Sequence, residues 1–133
     1  LLFPDISIIL NGEIKDKTSL EYALSKAPDV DGGMIARAAA QQPWIFAKLK
    51  GMLEDKSFDM QSIALKFIDD LEECQPKEFW PTRLQRFFTW YCLNFSFGNY
   101  FKTQMLNAKD NNEARIRIKE YFDKCPDDRF KIL

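Results

Sequence analysis

The stretch Asp31-Gly-Gly-Met-Ile-Ala-Arg-Ala-Ala-Ala-Gln-Gln-Pro-Trp-Ile-Phe46 decides the fold, together with Ile6-Ser-Ile-Ile-Leu-Asn-Gly-Glu-Ile14 upstream of it. Each is a short apolar run that ends in a polar or cationic turn and passes into a helix. Residues 6–10 are rich in isoleucine, as parallel strands buried on both faces are. Asn11-Gly12 ends the run with residues that accept positive φ. Elsewhere Asn-Gly would announce a hairpin, but no pairing strand follows here. Instead Thr18 or Ser19 caps a helix through Lys26, with Leu20, Ala23 and Leu24 on one face. Pro28 closes it, and residues 30–35 form the second strand. Two parallel strands joined by a helix make a right-handed crossover. In tandem, the two units predict the last two β/α units of a TIM-type barrel, whose final loops commonly hold a ligand phosphate.

A phosphate needs several N–H donors aimed at one point, and a cation. The first turn offers the backbone of Asn11, Gly12 and Glu13, and Gly12 leaves room for close approach. The second offers the amides of Ala36 and Arg37 and the Arg37 guanidinium. Adjacent barrel strands bring both turns to the carboxyl end of the sheet. Taken alone, Asn-Gly is an ordinary turn and Arg37 an ordinary surface ion pair; the strand spacing joins them into a candidate site.

The chain then changes character near residue 55. Residues 37–42 make one short turn, Pro43 opens another helix, and Gly51 weakens its end. Beyond it the pattern is helical. Asp59 caps a helix carrying Met60, Ile63, Phe67 and Leu71, broken at Gln75-Pro76. Pro81-Thr82 opens a strongly amphipathic helix with Leu84, Phe87, Phe88, Tyr91, Cys92 and Phe95 on its stripe, and Gly98 ends it. Tyr100, Phe101, Met105 and Leu106 mark a shorter helix. Asn111 or Asn112 caps the last, with Ile116, Ile118, Tyr121 and Phe122, and Pro126 stops it. The expected class is α/β plus α, mostly helical: residues 1–55 close a barrel, and 56–133 form a C-terminal bundle of about four helices.

Composition excludes several functions. None of the 133 residues is histidine, which removes Ser-His and Cys-His nucleophile pairs and most catalytic zinc sites. Cys74, Cys92 and Cys125 are an odd number at wide spacing, neither a disulfide framework nor a metal site; a reducing compartment, the cytoplasm, suits them. Cys92 lies on an apolar stripe and reads as a small buried hydrophobe. No apolar run reaches membrane-spanning length. The net charge is −1, and the first residues are Leu-Leu-Phe-Pro with no methionine, so the chain reads as a piece of a longer protein. Asp69-Asp70, Glu72-Glu73 and Asp127-Asp128 read as solvated faces.

Charge is unevenly placed in the helical part. Between Glu78 and Asp110 there is no acidic residue, while Arg83, Arg86, Lys102, Lys109 and ten aromatics fall in that window. Such a patch can meet phosphates through arginine and stack bases on exposed rings. Most of these rings follow the helical stripe and belong to the core. Arg83 and Arg86 share a face and, with Lys102, are the candidates for RNA contact.

The two motifs closely resemble the tRNA-dihydrouridine synthases. That family shows Asn-Gly-Asp-Ile after its seventh barrel strand and Asp-Gly-x-Met-x-Gly-Arg-Ala-x-x-x-x-Pro-Trp-x-Phe around its eighth. The likeness covers residues 5–50 well; the run from Pro81 to Tyr91 is similar only loosely to the family's basic helix ending in Trp-Tyr. The resemblance implies an FMN-binding barrel, a helical tRNA-binding domain, NADPH as reductant, and a monomeric enzyme that reduces uridine to 5,6-dihydrouridine. It places Asn11, Gly12, Glu13, Ala36 and Arg37 around the FMN phosphate. Ala36 stands where the family usually has glycine, and its methyl takes space there; Glu13 replaces aspartate. The family's catalytic cysteine lies earlier in the barrel, so no catalytic residue and no metal ligand is assigned in this chain, which by itself is expected to be inactive. Two alternatives stay open: another FMN barrel oxidoreductase acting on a small molecule, and a nonenzymatic helical interaction module.

Overall fold

The computed structural model describes residues 4–53 and 56–132. The chain is mostly helical and divides into two compact units, Leu1–Met52 and Leu53–Leu133. The change of character expected near residue 55 falls beside Glu54 and Asp55, which lie outside the described residues, as do Leu1 to Phe3 and Leu133.

The N-terminal unit is built on one crossover. Strand β1 (Ile9–Asn11) pairs in parallel with β2 (Gly32–Met34), and helix α1 (Lys17–Lys26) joins them. Both strands are three residues long, shorter than the sequence pattern suggested. Ile6, Ile8 and Ile9 are exposed rather than buried on both faces, because each strand has one partner among the described residues. The cap of α1 also differs from expectation. Asp16 accepts from the Ser19 amide at 2.7 Å, and Ser19 Oγ accepts from the Asp16 amide at 3.0 Å. Ser19 is thus the third residue of a capping box, and the carboxylate before the helix is the cap.

Two single-turn helices follow, α2 (Arg37–Gln41) and α3 (Ile45–Leu49). Gly51 lies just past α3 at φ +67°; its amide bonds the Lys48 carbonyl and that of Met52 bonds Ala47. Gly51 therefore caps α3 in a Schellman motif instead of weakening it.

The helical unit opens with β3 (Ser57–Asp59), then α4 (Met60–Cys74), α5 (Trp80–Tyr91), α6 (Gly98–Leu106) and α7 (Asn111–Lys124). α4 packs on α5 and α7, and α6 packs on α5 and α7, which closes a ring of contacts around one core. Asp59 caps α4 as expected, accepting from Gln61 and Ser62. Asp110, not Asn111 or Asn112, caps α7 through the Glu113 amide at 2.8 Å, since the helix already begins at Asn111. Gly98 starts α6 and does not end α5: α5 stops at Tyr91, a 3-10 turn spans Cys92–Asn94, and a Cβ at Gly98 would collide with the Cys92 carbonyl. Ile116, read as part of the α7 stripe, is exposed.

The core is a set of interlocked rings. Phe88 meets Phe67, Phe87, Tyr91 and Phe101 with centroids 5.1–6.1 Å apart, mostly edge to face. Phe87 is half-buried and stacks on Phe67 at 3.7 Å. The buried Tyr91 hydroxyl donates to the Met60 carbonyl at 2.8 Å, and burial raises its pKa far above the ordinary phenol value. No sequence pattern announced the last element, β4 (Phe130–Ile132), which pairs antiparallel with β3. Arg129 holds that pairing by bonding both Asp59 carboxylate oxygens at 2.9–3.3 Å, and its carbonyl accepts from the Met60 amide at 2.7 Å. Burial alone would raise the Asp59 pKa, but the Arg129 and Ser62 hydrogen bonds carry it below its usual value of 3.8.

Candidate functional sites in the two units

In the N-terminal unit the strand register sets the geometry. Asn11 lies opposite Met34, so the turns that leave β1 and β2 emerge side by side at the carboxyl ends of the two strands. Arg37 Nη2 lies 3.2 Å from Glu13 Oε1, directly bridging those turns. Both side chains are largely exposed, so this ion pair is weak. Asn11, Gly12 and Ala36 are exposed as well.

The backbone refines the expected roles. Positive φ occurs at Glu13, at 46°, and not at Asn11 or Gly12. A Cβ on Gly12 would meet nothing within 4 Å, so packing within the chain does not demand glycine there. Ala36 caps α2 at φ −109°, a conformation alanine adopts without left-handed strain. Its carbonyl accepts from Ala39 and Ala40, which fixes the turn that carries Arg37.

Other motif residues turn out to hold the frame. Asp31, which the sequence reading left without a role, accepts from the Ile8 amide at 2.7 Å and returns a bond from its own amide to the Ile8 carbonyl at 2.9 Å. A Cβ on Gly33 would press within 3.2 Å of Ile14 and 3.7 Å of Leu20, so this glycine lets α1 lie close to β2. Trp44 and Ile45 are buried and serve as core. The only signal for these roles was the motif itself, since the period of the sequence does not separate a packing glycine from a phosphate-site glycine.

In the helical unit Arg83 and Arg86 are exposed on one face of α5, and Lys102 is half-buried on α6. The contrast among arginines is informative. Arg115 bonds Glu72 and Asp69 at 2.7 Å, Arg117 bonds Glu113 at 2.6 Å, and Arg129 bonds Asp59. Arg83 instead lies over the exposed Phe79 ring, 6.0 Å from its centroid. Of the ten aromatics in the acid-free window, Phe79, Phe97 and Tyr100 are exposed; Phe88, Tyr91, Phe95 and Phe101 are buried.

The acidic pairs are not merely solvated. Glu72 accepts from Arg115 and from the buried Asn111, and Arg115 first, then Asn111, hold its pKa below the usual 4.5. Asp128 accepts from the Tyr121 hydroxyl at 2.5 Å, the Ser96 amide at 2.9 Å and the Ser96 hydroxyl at 2.8 Å. Cys92 is buried, and burial raises its thiol pKa, which suits packing and not nucleophilic chemistry. No group of three metal-ligating side chains occurs among the described residues, and no described helix is long and apolar enough to cross a membrane.

Comparison with known families adds one finding. Residues 2–125 match the family model described as dihydrouridine synthase. A search of curated proteins found no significant match.

Proposed function

The chain belongs to the dihydrouridine synthase family, oxidoreductases that act on uridine in tRNA, and from that premise we propose how its two units divide the work. The N-terminal unit contributes the FMN-phosphate end of a β/α barrel, and the helical unit holds tRNA. The flavin, when bound, supplies a hydride to the uracil 5,6 double bond and is restored by NADPH.

In this reading Asn11, Gly12 and Glu13 present backbone donors from the first turn, and Ala36 and Arg37 present theirs from the second. The observation that carries it is the meeting of the two turns, with Arg37 bridging to Glu13 at 3.2 Å. The residues fit a phosphate. The turns are open, Gly12 leaves space for an oxygen, and the exposed Glu13 can yield the guanidinium to a dianion. The Ala36 methyl beside the phosphate lowers affinity without removing the amide. Arg83, Arg86 and Lys102 meet the RNA backbone, which positions the target uridine for extrusion. The catalytic acid comes from outside this chain.

Two paired strands do not enclose a flavin, so this chain alone binds FMN weakly and does not catalyse. The test is titration of FMN and of riboflavin, which lacks the phosphate, followed by flavin fluorescence. We expect weak binding that favours FMN over riboflavin, a preference that Arg37→Ala abolishes. Equal affinity for the two flavins, or tight stoichiometric FMN binding indifferent to Arg37→Ala, overturns the phosphate site.

A further inference from the structure

Resting on the tRNA reading above, we propose that an open concavity beside the start of α6 is a stacking site for one unpaired RNA base, with Phe97 and Tyr100 as its platform. The concavity has a volume of about 450 Å³, within the range of small-ligand sites. Leu93, Ser96, Phe97, Asn99 and Tyr100 line it, together with the buried Cys92. Leu93 is 58% exposed, Phe97 62% and Tyr100 47%, although the neighbouring Phe95 and Phe101 are buried.

The segment is braced. The Phe97 amide donates to the Tyr121 hydroxyl at 3.3 Å, and Ser96 is tied to Asp128 through both its amide and its hydroxyl. Gly98 allows the close approach to the Cys92 carbonyl that sets the loop's shape. Tyr100 stacks on Tyr121 with centroids 6.4 Å apart. A ring platform fixed in advance loses little entropy when a base settles on it. The Asn99 amide offers a donor and an acceptor to a base edge.

Charge selects the occupant. Residues 79–109 contain no carboxylate. Arg83 and Arg86 are exposed one turn apart on α5, and the turn that follows this helix carries Cys92 and the exposed Leu93 into the lining of the concavity. Lys102, half-buried on α6, adds a cation to the same acid-free stretch. Asp128 is held by Tyr121 and Ser96. Cations leading to exposed rings suit a single-stranded nucleotide, phosphate on arginine and base on the ring.

The probe is a short single-stranded RNA carrying one 2-aminopurine, titrated into the whole chain at two salt concentrations. Stacking quenches the 2-aminopurine. We expect Phe97→Ala and Tyr100→Ala to weaken binding roughly five- to a hundredfold and to abolish quenching, with the salt dependence unchanged. Phe97→Trp should restore both. Arg86→Ala should weaken binding and flatten the salt dependence. The Phe97 ring is exposed, so the thermal midpoint of Phe97→Ala should stay at the parent value. If Arg86→Ala behaves so while Phe97→Ala and Tyr100→Ala bind and quench like the parent, the base site is overturned and the RNA reading stands. If the parent chain binds no RNA, both fall, and the concavity passes to a protein segment.

Discussion

Among the described residues the N-terminal unit buries three large side chains, Ile14, Trp44 and Ile45, whereas the helical unit buries fifteen hydrophobic residues around interlocked rings. The first carries the specific motifs and leaves Ile6, Ile8, Ile9 and Met34 exposed. The second carries hardly any motif and a closed core. The difference separates two kinds of information in a sequence. Motif residues record a ligand or a close backbone approach, and periodic apolar residues record packing. Here the two kinds lie in different halves of the chain.

The largest expected effect tests the packing half. Phe88 is fully buried among four rings, so Phe88→Ala should destabilise the helical unit by about 3–5 kcal/mol in urea unfolding. Ile9→Ala, at an exposed position, should change stability by no more than about 0.5 kcal/mol. Comparable losses at both positions would erase the distinction between the units.

Next comes the glycine pair. Gly98→Ala drives a methyl into the Cys92 carbonyl and should cost the helical unit about 1–3 kcal/mol. Gly12→Ala meets open space and should leave unfolding unchanged while it weakens FMN binding. A stability loss at Gly12 would make that residue structural.

Acid sharpens the comparison further. Asp59 and Glu72 have folded pKa values below their usual 3.8 and 4.5, so the unfolded chain takes up protons first as pH falls. Their stabilisation is complete above about 4.5 and disappears as pH drops through the folded values. Arg115→Ala should cost about 1–2 kcal/mol near neutral pH and shrink the loss between pH 6 and pH 3. An unchanged acid profile in that variant would remove Glu72 from the account. The smallest effect is at the caps: Asp110→Ala should cost about 1 kcal/mol.

Sequence made the βαβ unit, the helix α4 with its Asp59 cap, and the arginine face of α5 legible, because each has a strong local signature. It missed three things for physical reasons. The β3–β4 pair joins segments some seventy residues apart, and its anchor, Arg129 on Asp59, is a long-range contact that no periodicity encodes. The Asp128 hub looked like a solvated charge pair, since its partners Ser96 and Tyr121 are distant or neutral. Asp16 and Asp110 displaced the hydroxyl and amide caps because a carboxylate one to three residues earlier competes for the same amides. At the candidate phosphate site, both turns and Arg37 were readable, but the left-handed residue was placed at Asn11-Gly12 when it is Glu13.

We propose that the motif-poor helical unit holds RNA through Arg83 and Arg86, which lie on a stretch of sequence, residues 79–109, without a carboxylate. Labelled tRNA should be titrated into the chain by fluorescence anisotropy at two salt concentrations, beside the Arg83→Ala/Arg86→Ala double variant. The account predicts binding that weakens with salt, and a double variant with lower affinity and a salt slope smaller by about 1 to 2. Binding of equal strength and equal salt dependence in parent and variant would contradict it.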